Sequence, residues 1–326
     1  MLNKMNVYSM MFSLLLFFIL MNSSSIYIQW LSMEFSTILM ISMINIKSKN
    51  KIVSILYFLM SSISSLMIIM IISFNFTQLL MMKNYHINSL LCISMFMKVG
   101  IFPFTFWMIY IYNMSSWNQI FIISTFMKFI PIYFFSSLIF YSPNLLMYMI
   151  MNNFLISLYT NLNFSIKKLF SCSSIFNSLF FILISNINKN MFIMLMTIYL
   201  IISFLLFLML NFYNIDNLNF SNFSNYTSYI FSILLLIYSS FPLFMSFMFK
   251  WEFMYMLNLS FSNNMMMILF LSSMLMLWNY LILFKLMTIK FKFNKMMMKM
   301  EIFYCKYFTL IFIIYYSFMF LMFNLI

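Results

Sequence analysis

The stretch INSLLCISMFMKVGIFPFTFWMIYI, residues 87–111, decides how the rest of the chain is read. A helix that crosses a bilayer needs roughly 20 apolar residues, so this run is long enough to span. Its one charge, Lys98, stands near the middle, and Gly100 and Pro103 follow close behind. Proline removes a backbone donor and crowds the preceding turn, so the helix is expected to break just past the lysine. Irregular backbone at membrane depth survives only where protein or water surrounds it. The segment therefore points to a working interior rather than to a lipid-facing anchor.

The surrounding composition agrees. Of 326 residues, 65% are hydrophobic and 6% charged, with 17 lysines, no arginine, four acids and one glycine. A soluble domain carries about 25% charged residues, so this chain is expected to be a polytopic all-α membrane protein with no sizeable water-exposed domain. One Gly and one His exclude a glycine-rich phosphate cradle and a multi-histidine metal or haem site. Cys92, Cys172 and Cys305 show no paired spacing, which argues against a metal site or a disulfide framework. Lone His86, beside Lys83, reads as loop surface.

Forty-one Met and 46 Phe, with no Ala or Arg, are the imprint of AT-rich codons. So many methionines are natural where AUA also encodes Met, as in animal mitochondria. The expectation is an organelle-encoded protein of the mitochondrial inner membrane, whose formal charge of +13 reflects topology rather than a nucleic-acid partner. No Arg-rich leader is evident, and the apolar run from Met5 to Met21 is expected to be a retained first span.

Hydropathy predicts eleven spans, at 5–21, 26–45, 52–74, 87–111, 117–141, 144–160, 166–187, 190–212, 226–256, 263–287 and 305–325. With that alternation, Lys4, Lys47, Lys49, Lys51, Lys167, Lys168, Lys290, Lys292, Lys295 and Lys299 fall on one side, against Lys83 and Lys189 on the other. The positive-inside rule then puts the N-terminus in the matrix and the C-terminus in the intermembrane space. The ninth span is unusually long and holds Pro242, so it too is expected to be broken. A cut near residue 142 gives five spans on either side, with the interrupted one fourth in each half. Such placement points to inverted repeats around a midplane site. The expected organisation is a first repeat at 1–141, a second, inverted one at 142–288, and a matrix loop with a C-terminal helix at 289–326.

A charged side chain at mid-span costs around 2.5–3.5 kcal/mol on insertion scales, so it needs a partner or a purpose. The candidates are Glu34, Lys98, Lys128, Lys250 and Glu252, the last two less central than the others. Lost solvation disfavours an ammonium, and a nearby carboxylate restores it, so varying the distance between Glu34 and Lys98 could load or release a proton. The competing reading is a static ion pair that fixes helix packing. The lysine-rich run from Lys285 to Lys306 suits orientation and contact with anionic lipid headgroups.

At these residues a resemblance enters. MKVGIFPFTFW, from Met97 to Trp107, is similar to the LKLGxxPFHFW segment of the subunit 2 family of mitochondrial NADH dehydrogenase, respiratory complex I. STFMKFIPI around Lys128 resembles that family's TWQKxAPx, and SIKKLFSCSSIFN, from Ser165 to Asn177, resembles LRKxLAYSSIxH. SSFPLFMSFMFKW, from Ser239 to Trp251, is similar to GGLPPxxGFxPKW, and WLSMEFSTI around Glu34 to an LEINT-like segment.

The resemblance implies an antiporter-like core subunit of the membrane arm, with two inverted five-helix repeats in the eleven-span form of animals. It implies proton translocation coupled to electron transfer from NADH to ubiquinone in other subunits, which would carry the NADH, FMN, iron–sulfur clusters and ubiquinone. Residue by residue, Glu34 matches the family's membrane glutamate, Lys98 the broken-helix lysine, Lys128 the connecting lysine and Lys250 the lysine of the second broken helix. Gly100, Pro103 and Pro242 mark the breaks. Implied partners are other membrane-arm subunits and membrane lipids, with cardiolipin among them. The chain departs from the family at Thr105 and Asn177, where the family has histidines, so a relay through Asn177 is in doubt. A free-standing cation/proton antiporter and a structural membrane-arm scaffold are the competing readings.

Overall fold

The computed structural model describes residues 4–46, 51–76, 84–138, 143–162, 165–213, 215, 225–242, 244, 246–247, 250–251, 254 and 263–293. Its helices are α1 (Lys4–Asn22), α2 (Ile26–Ile46), α3 (Ile52–Phe76), α4 (Asn84–Val99), α5 (Thr105–Met114) and α6 (Trp117–Ser124). They continue with α7 (Phe126–Leu138), α8 (Pro143–Leu162), α9 (Ile166–Ile187), α10 (Lys189–Phe212), α11 (Asn225–Tyr238) and α12 (Asn263–Phe293). No strand occurs among the described residues. Within them, six segments are long and apolar enough to cross a membrane: Ile26–Asn45, Ile52–Ser73, Trp117–Leu138, Ile166–Asn186, Lys189–Phe212 and Asn264–Leu286. The all-helical membrane architecture expected from composition is the one observed. The expected eleventh span, 305–325, lies outside the described residues, as do Lys83, Glu252 and Cys305.

The chain forms two compact units, Met1–Thr197 and Ile198–Ile326, with the boundary inside α10. In the first, α9 is the central post and packs against α5, α7 and α8. Every described residue from Leu169 to Ser185 in that helix is buried. Around it, α2 packs on α1, α3 and α7, while α4 packs on α3 and α7. The outer helices are apolar where a soluble protein would be polar. On α1, Tyr8, Met11, Phe12, Leu15, Phe18 and Ile19 all face outward at helical spacing. In the second unit, α11 packs on α12.

Serine is frequent in these apolar helices, and its hydroxyls are answered locally. Ser36, Ser64, Ser94, Ser171 and Ser178 each donate to the carbonyl three residues earlier. Such back-bonding satisfies a hydroxyl that lipid could not, so serine enters a span at little cost.

Two helix ends position the charged residues. α4 stops at Val99, and Gly100 takes φ +80, with the N–H groups of Gly100 and Ile101 both reaching the Phe96 carbonyl at 2.9 Å. The chain's single glycine thus occupies a left-handed helix ending that β-carbon-bearing residues rarely adopt. Phe104 N–H then donates to the Ile101 carbonyl at 2.8 Å, and α5 begins at Thr105. On α8, Asn152 Oδ1 accepts from Phe102 N–H at 3.2 Å and the Tyr148 hydroxyl donates to the Phe102 carbonyl at 2.7 Å. These two side chains clothe the exposed backbone of the interruption.

The end of α11 repeats the pattern in the second unit. Ser240 takes φ 57, Phe241 N–H donates to the Leu236 carbonyl at 3.1 Å, and Phe244 N–H donates to the Phe241 carbonyl at 3.0 Å. Here serine, not glycine, bears a left-handed φ, at a cost of order 1–2 kcal/mol.

A further interruption has no glycine or proline at its point. Thr125, with φ -110 and ψ -88, separates α6 from α7, and its carbonyl accepts from the N–H groups of Lys128 and Phe129 at 3.0 Å. Pro131 lies inside α7 without ending it. A proline at that place deprives the carbonyl four residues earlier of its donor, and that carbonyl is Met127. The Tyr57 hydroxyl from α3 supplies a replacement at 3.4 Å.

Gly100 generates a test. A β-carbon there would stand 3.1 Å from Met108 Cβ, and its φ of +80 would remain strained. Gly100→Ala is expected to destabilise the fold by about 1–3 kcal/mol. Heating the solubilised protein should show an earlier loss of the folded form, whereas an unchanged midpoint would mean that α4 can end without its glycine.

Candidate functional site

Lys98 occupies the last turn of α4, one residue before the break, and its side chain is completely buried. Its Nζ forms a salt bridge with Glu34 Oε1 on α2, and Glu34 keeps 20% of its side chain exposed. Glu34 stands between Leu31 and Phe35, both of which face outward. The pair therefore joins a buried cation to a carboxylate at the edge of the unit. An ion pair in a low-dielectric setting persists only if each charge keeps its partner, because an isolated one bears the full desolvation penalty. The backbone carbonyls freed at the end of α4 favour a cation nearby, which adds a smaller attraction.

Lys128 lies in the first turn of α7, just past the interruption at Thr125, and is 2% exposed. Its Nζ donates to Ser174 Oγ on α9 at 3.1 Å. The same oxygen accepts from the Tyr112 hydroxyl of α5 at 2.9 Å, and Ser174 donates in turn to the Ser171 carbonyl at 2.8 Å. Because α2, α4, α5, α7 and α9 belong to the first unit, Glu34, Lys98 and Lys128 share one packed interior.

Lys250 belongs to the second unit and is described within it. Its Nζ donates to Ser240 Oγ at 2.6 Å, returning to the left-handed serine that ends α11. A cavity of about 30 Å³ opens there, lined by Lys250, Ser239, Ser240 and Ser273 and, for the larger part, by Phe247, Trp251, Met254, Phe270, Met274 and Leu277. That is room for a water molecule, which needs about 10–15 Å³ of such volume and two to four polar partners. Pro242 follows two residues after Ser240.

Three residues of these networks escaped the sequence reading. Ser174, Tyr112 and Tyr57 are neutral and common in this chain, so no charge signal marks them. The signal available for Ser174 was a row, Ser171, Ser174 and Ser178, at helical spacing on α9. Lys168, one of the lysines that set the expected orientation, stands in the first turn of α9, 6% exposed, with its Nζ 3.9 Å from the Tyr159 ring centroid. Neighbouring Lys167 lies over the Trp117 ring at 5.5 Å. Their stems are covered and their charges held by aromatic faces. Thr105 and Asn177 are both buried, at the head of α5 and in mid-α9. No group of three or more His, Cys, Asp or Glu side chains suited to a metal occurs among the described residues.

Comparison with known proteins gives the fold first. A chain of respiratory complex I from Thermus thermophilus, solved with bound aureothin, matches at a TM-score of 0.72, over 84% of this chain and 68% of that one. At 14% identity the likeness concerns fold alone, and it defines the chain as a helical membrane protein built like part of complex I. No protein-family model matches. The particular family comes from sequence: NADH-ubiquinone oxidoreductase chain 2 of Apis mellifera ligustica is 41% identical over 285 residues, covering 87% of this chain and 86% of that relative. The chain belongs to the NADH-ubiquinone oxidoreductase chain 2 family, and is a membrane subunit of respiratory complex I.

The ion pair supplies a prediction. Glu34→Ala leaves the wholly buried Lys98 without its carboxylate, and removing one member of a buried pair costs about 3–5 kcal/mol. Glu34→Ala combined with Lys98→Met removes both charges and should restore much of that stability. Graded heating of the assembled complex, scored by the chain it retains, is expected to rank the double variant above the single one. Equal losses would show that the pair is not held as a unit.

Proposed function

We propose that this chain translocates protons across the mitochondrial inner membrane, driven by electron transfer from NADH to ubiquinone in other subunits of complex I. Glu34, Lys98, Lys128 and Lys250 carry the relay on this reading. The observation that carries it is the buried Lys98–Glu34 pair beside a glycine-ended helix break, in a member of a complex I subunit family. When the pair is closed, the carboxylate stabilises the ammonium. When it opens, lost solvation favours release of the proton from Lys98 toward the interior. Lys128 receives it next, and Lys250, beside its small cavity, passes it on. A proton moving against 100 mV costs about 2.3 kcal/mol, which the redox reaction elsewhere must supply.

The same reading divides the chain into inverted repeats at 1–141 and 142–288, with 289–326 as matrix loop and final helix. Support comes from the matching endings at Gly100 and Ser240, each a left-handed residue followed by a hydrogen bond spanning five residues, Ile101 to Phe96 and Phe241 to Leu236. The N-terminus faces the matrix and the C-terminus the intermembrane space. NADH, FMN, the iron–sulfur clusters and ubiquinone sit in neighbouring subunits. The lysines from Lys285 to Lys306 meet anionic lipid headgroups such as cardiolipin.

Lys98→Met tests the relay, because methionine fills the space of the lysine stem and the remaining carboxylate keeps 20% of its side chain exposed. The expected outcome is a complex that assembles normally on a native gel, yet pumps at least about tenfold more slowly in proteoliposomes. Normal pumping by the assembled variant would reduce Lys98 to packing.

A further inference from the structure

We propose that Ser174 and Tyr112 are positioning residues for Lys128: a hydroxyl pair that holds the lysine in either protonation state and ties it to the half-helix beyond the α4 break. The inference rests on the relay reading above and adds to it two residues that bear no charge.

Ser174 Oγ is the meeting point of three helices. It accepts from Lys128 Nζ of α7 at 3.1 Å and from the Tyr112 hydroxyl of α5 at 2.9 Å, and gives its own hydrogen to the Ser171 carbonyl of α9 at 2.8 Å. Two lone pairs and one hydrogen are all that a hydroxyl offers, so the group is saturated. Its surroundings are dry, with Lys128 and Ser174 each 2% exposed and Tyr112 and Ser171 0% exposed.

That arrangement suits a lysine that changes charge. As an ammonium, Lys128 donates to Ser174. Once it has given up its proton, its nitrogen offers a lone pair, and Ser174 answers by rotating its hydrogen from the Ser171 carbonyl to that nitrogen. The carbonyl loses little, because a serine back-bond is an addition to the helix's own ladder. Tyr112 keeps donating to the serine oxygen throughout. No proton is gained or lost by either hydroxyl, and the lysine remains seated in both states.

The position of the pair gives it a second role. Two other buried polar residues, Thr105 and Asn177, stand near the pair. Tyr112 lies two turns along α5 from Thr105, and Ser174 about one turn from Asn177 on α9. The hydroxyls thus bridge α5 and α9. Through Tyr112, the seat of Lys128 is fixed to the helix that starts immediately after Gly100–Phe104, the same interruption that sets Lys98.

The test uses the assembled complex carrying Tyr112→Phe, Ser174→Ala, both together, Ser174→Thr, or Lys128→Met, with proton pumping measured in proteoliposomes and assembly on native gels. Each of Tyr112→Phe and Ser174→Ala should assemble and pump about tenfold more slowly, since misplacing a reacting group by an ångström costs up to about a hundredfold. The double variant should be no slower than Ser174→Ala, because both act through one oxygen. Ser174→Thr, which keeps the hydroxyl, should recover most of the rate. If Lys128→Met stops pumping while Tyr112→Phe and Ser174→Ala pump normally, this inference is overturned and the relay stands. Additive losses in the double variant, or no recovery with Ser174→Thr, overturn it too. If Lys128→Met pumps normally, the relay through Lys128 fails first. Should Ser174→Ala not assemble, Tyr112→Phe, which deletes a single oxygen, decides alone.

Discussion

A lysine ammonium far from water survives only where something answers its charge, and the first unit is arranged around answering Lys98. Glu34 comes from α2, so α2 and α4 must stay in register. The cation sits at the end of α4, so the helix must stop there, and the stop requires the chain's single glycine at φ +80. Stopping a helix in an apolar interior frees backbone groups, which Asn152 and Tyr148 from α8 then occupy. One buried charge thereby recruits three helices, α2, α4 and α8. Its insertion cost of around 2.5–3.5 kcal/mol explains why ion pair, break and caps occur together.

The same logic operates around Lys128 with different chemistry. No acid is paired with it by a salt bridge among the described residues, and hydroxyls take that place. Tyr57 answers the Met127 carbonyl that Pro131 leaves without a donor, one residue before the lysine. Tyr112 and Ser174 answer the ammonium itself. Hydroxyls are well suited to this, since each both donates and accepts and follows a change of charge by rotating rather than by moving backbone. In the second unit Lys250 is likewise held by a serine, Ser240, at the end of a helix.

Charge, glycine and proline were legible in the sequence because the composition is so poor in them. With one Gly and four Pro, each such residue carries information, and the break after Lys98 could be read from Gly100 and Pro103. The break at Thr125 could not, because it rests on tertiary packing and on a proline six residues away that the helix itself accommodates. Helix ends marked only by lysine were misjudged: α12 continues to Phe293 through a basic stretch read as loop, and α4 begins at Asn84, ahead of His86. The meeting of Tyr112 with Ser174 joins residues 62 apart, and no periodicity within either helix announces it. What sequence conveyed was where the membrane demands an exception, and what it left out was which neutral side chain would meet the demand.

The proposed relay requires the Glu34–Lys98 contact to open and close while the complex works. The most direct measurement is a pair of high-resolution electron cryomicroscopy maps of the intact complex, one at rest and one trapped during steady NADH oxidation. The expected result is a closed salt bridge in one population and, in a second found only during turnover, Lys98 withdrawn from Glu34 toward the side of Lys128. A salt bridge closed in every population, with pumping intact, would contradict it.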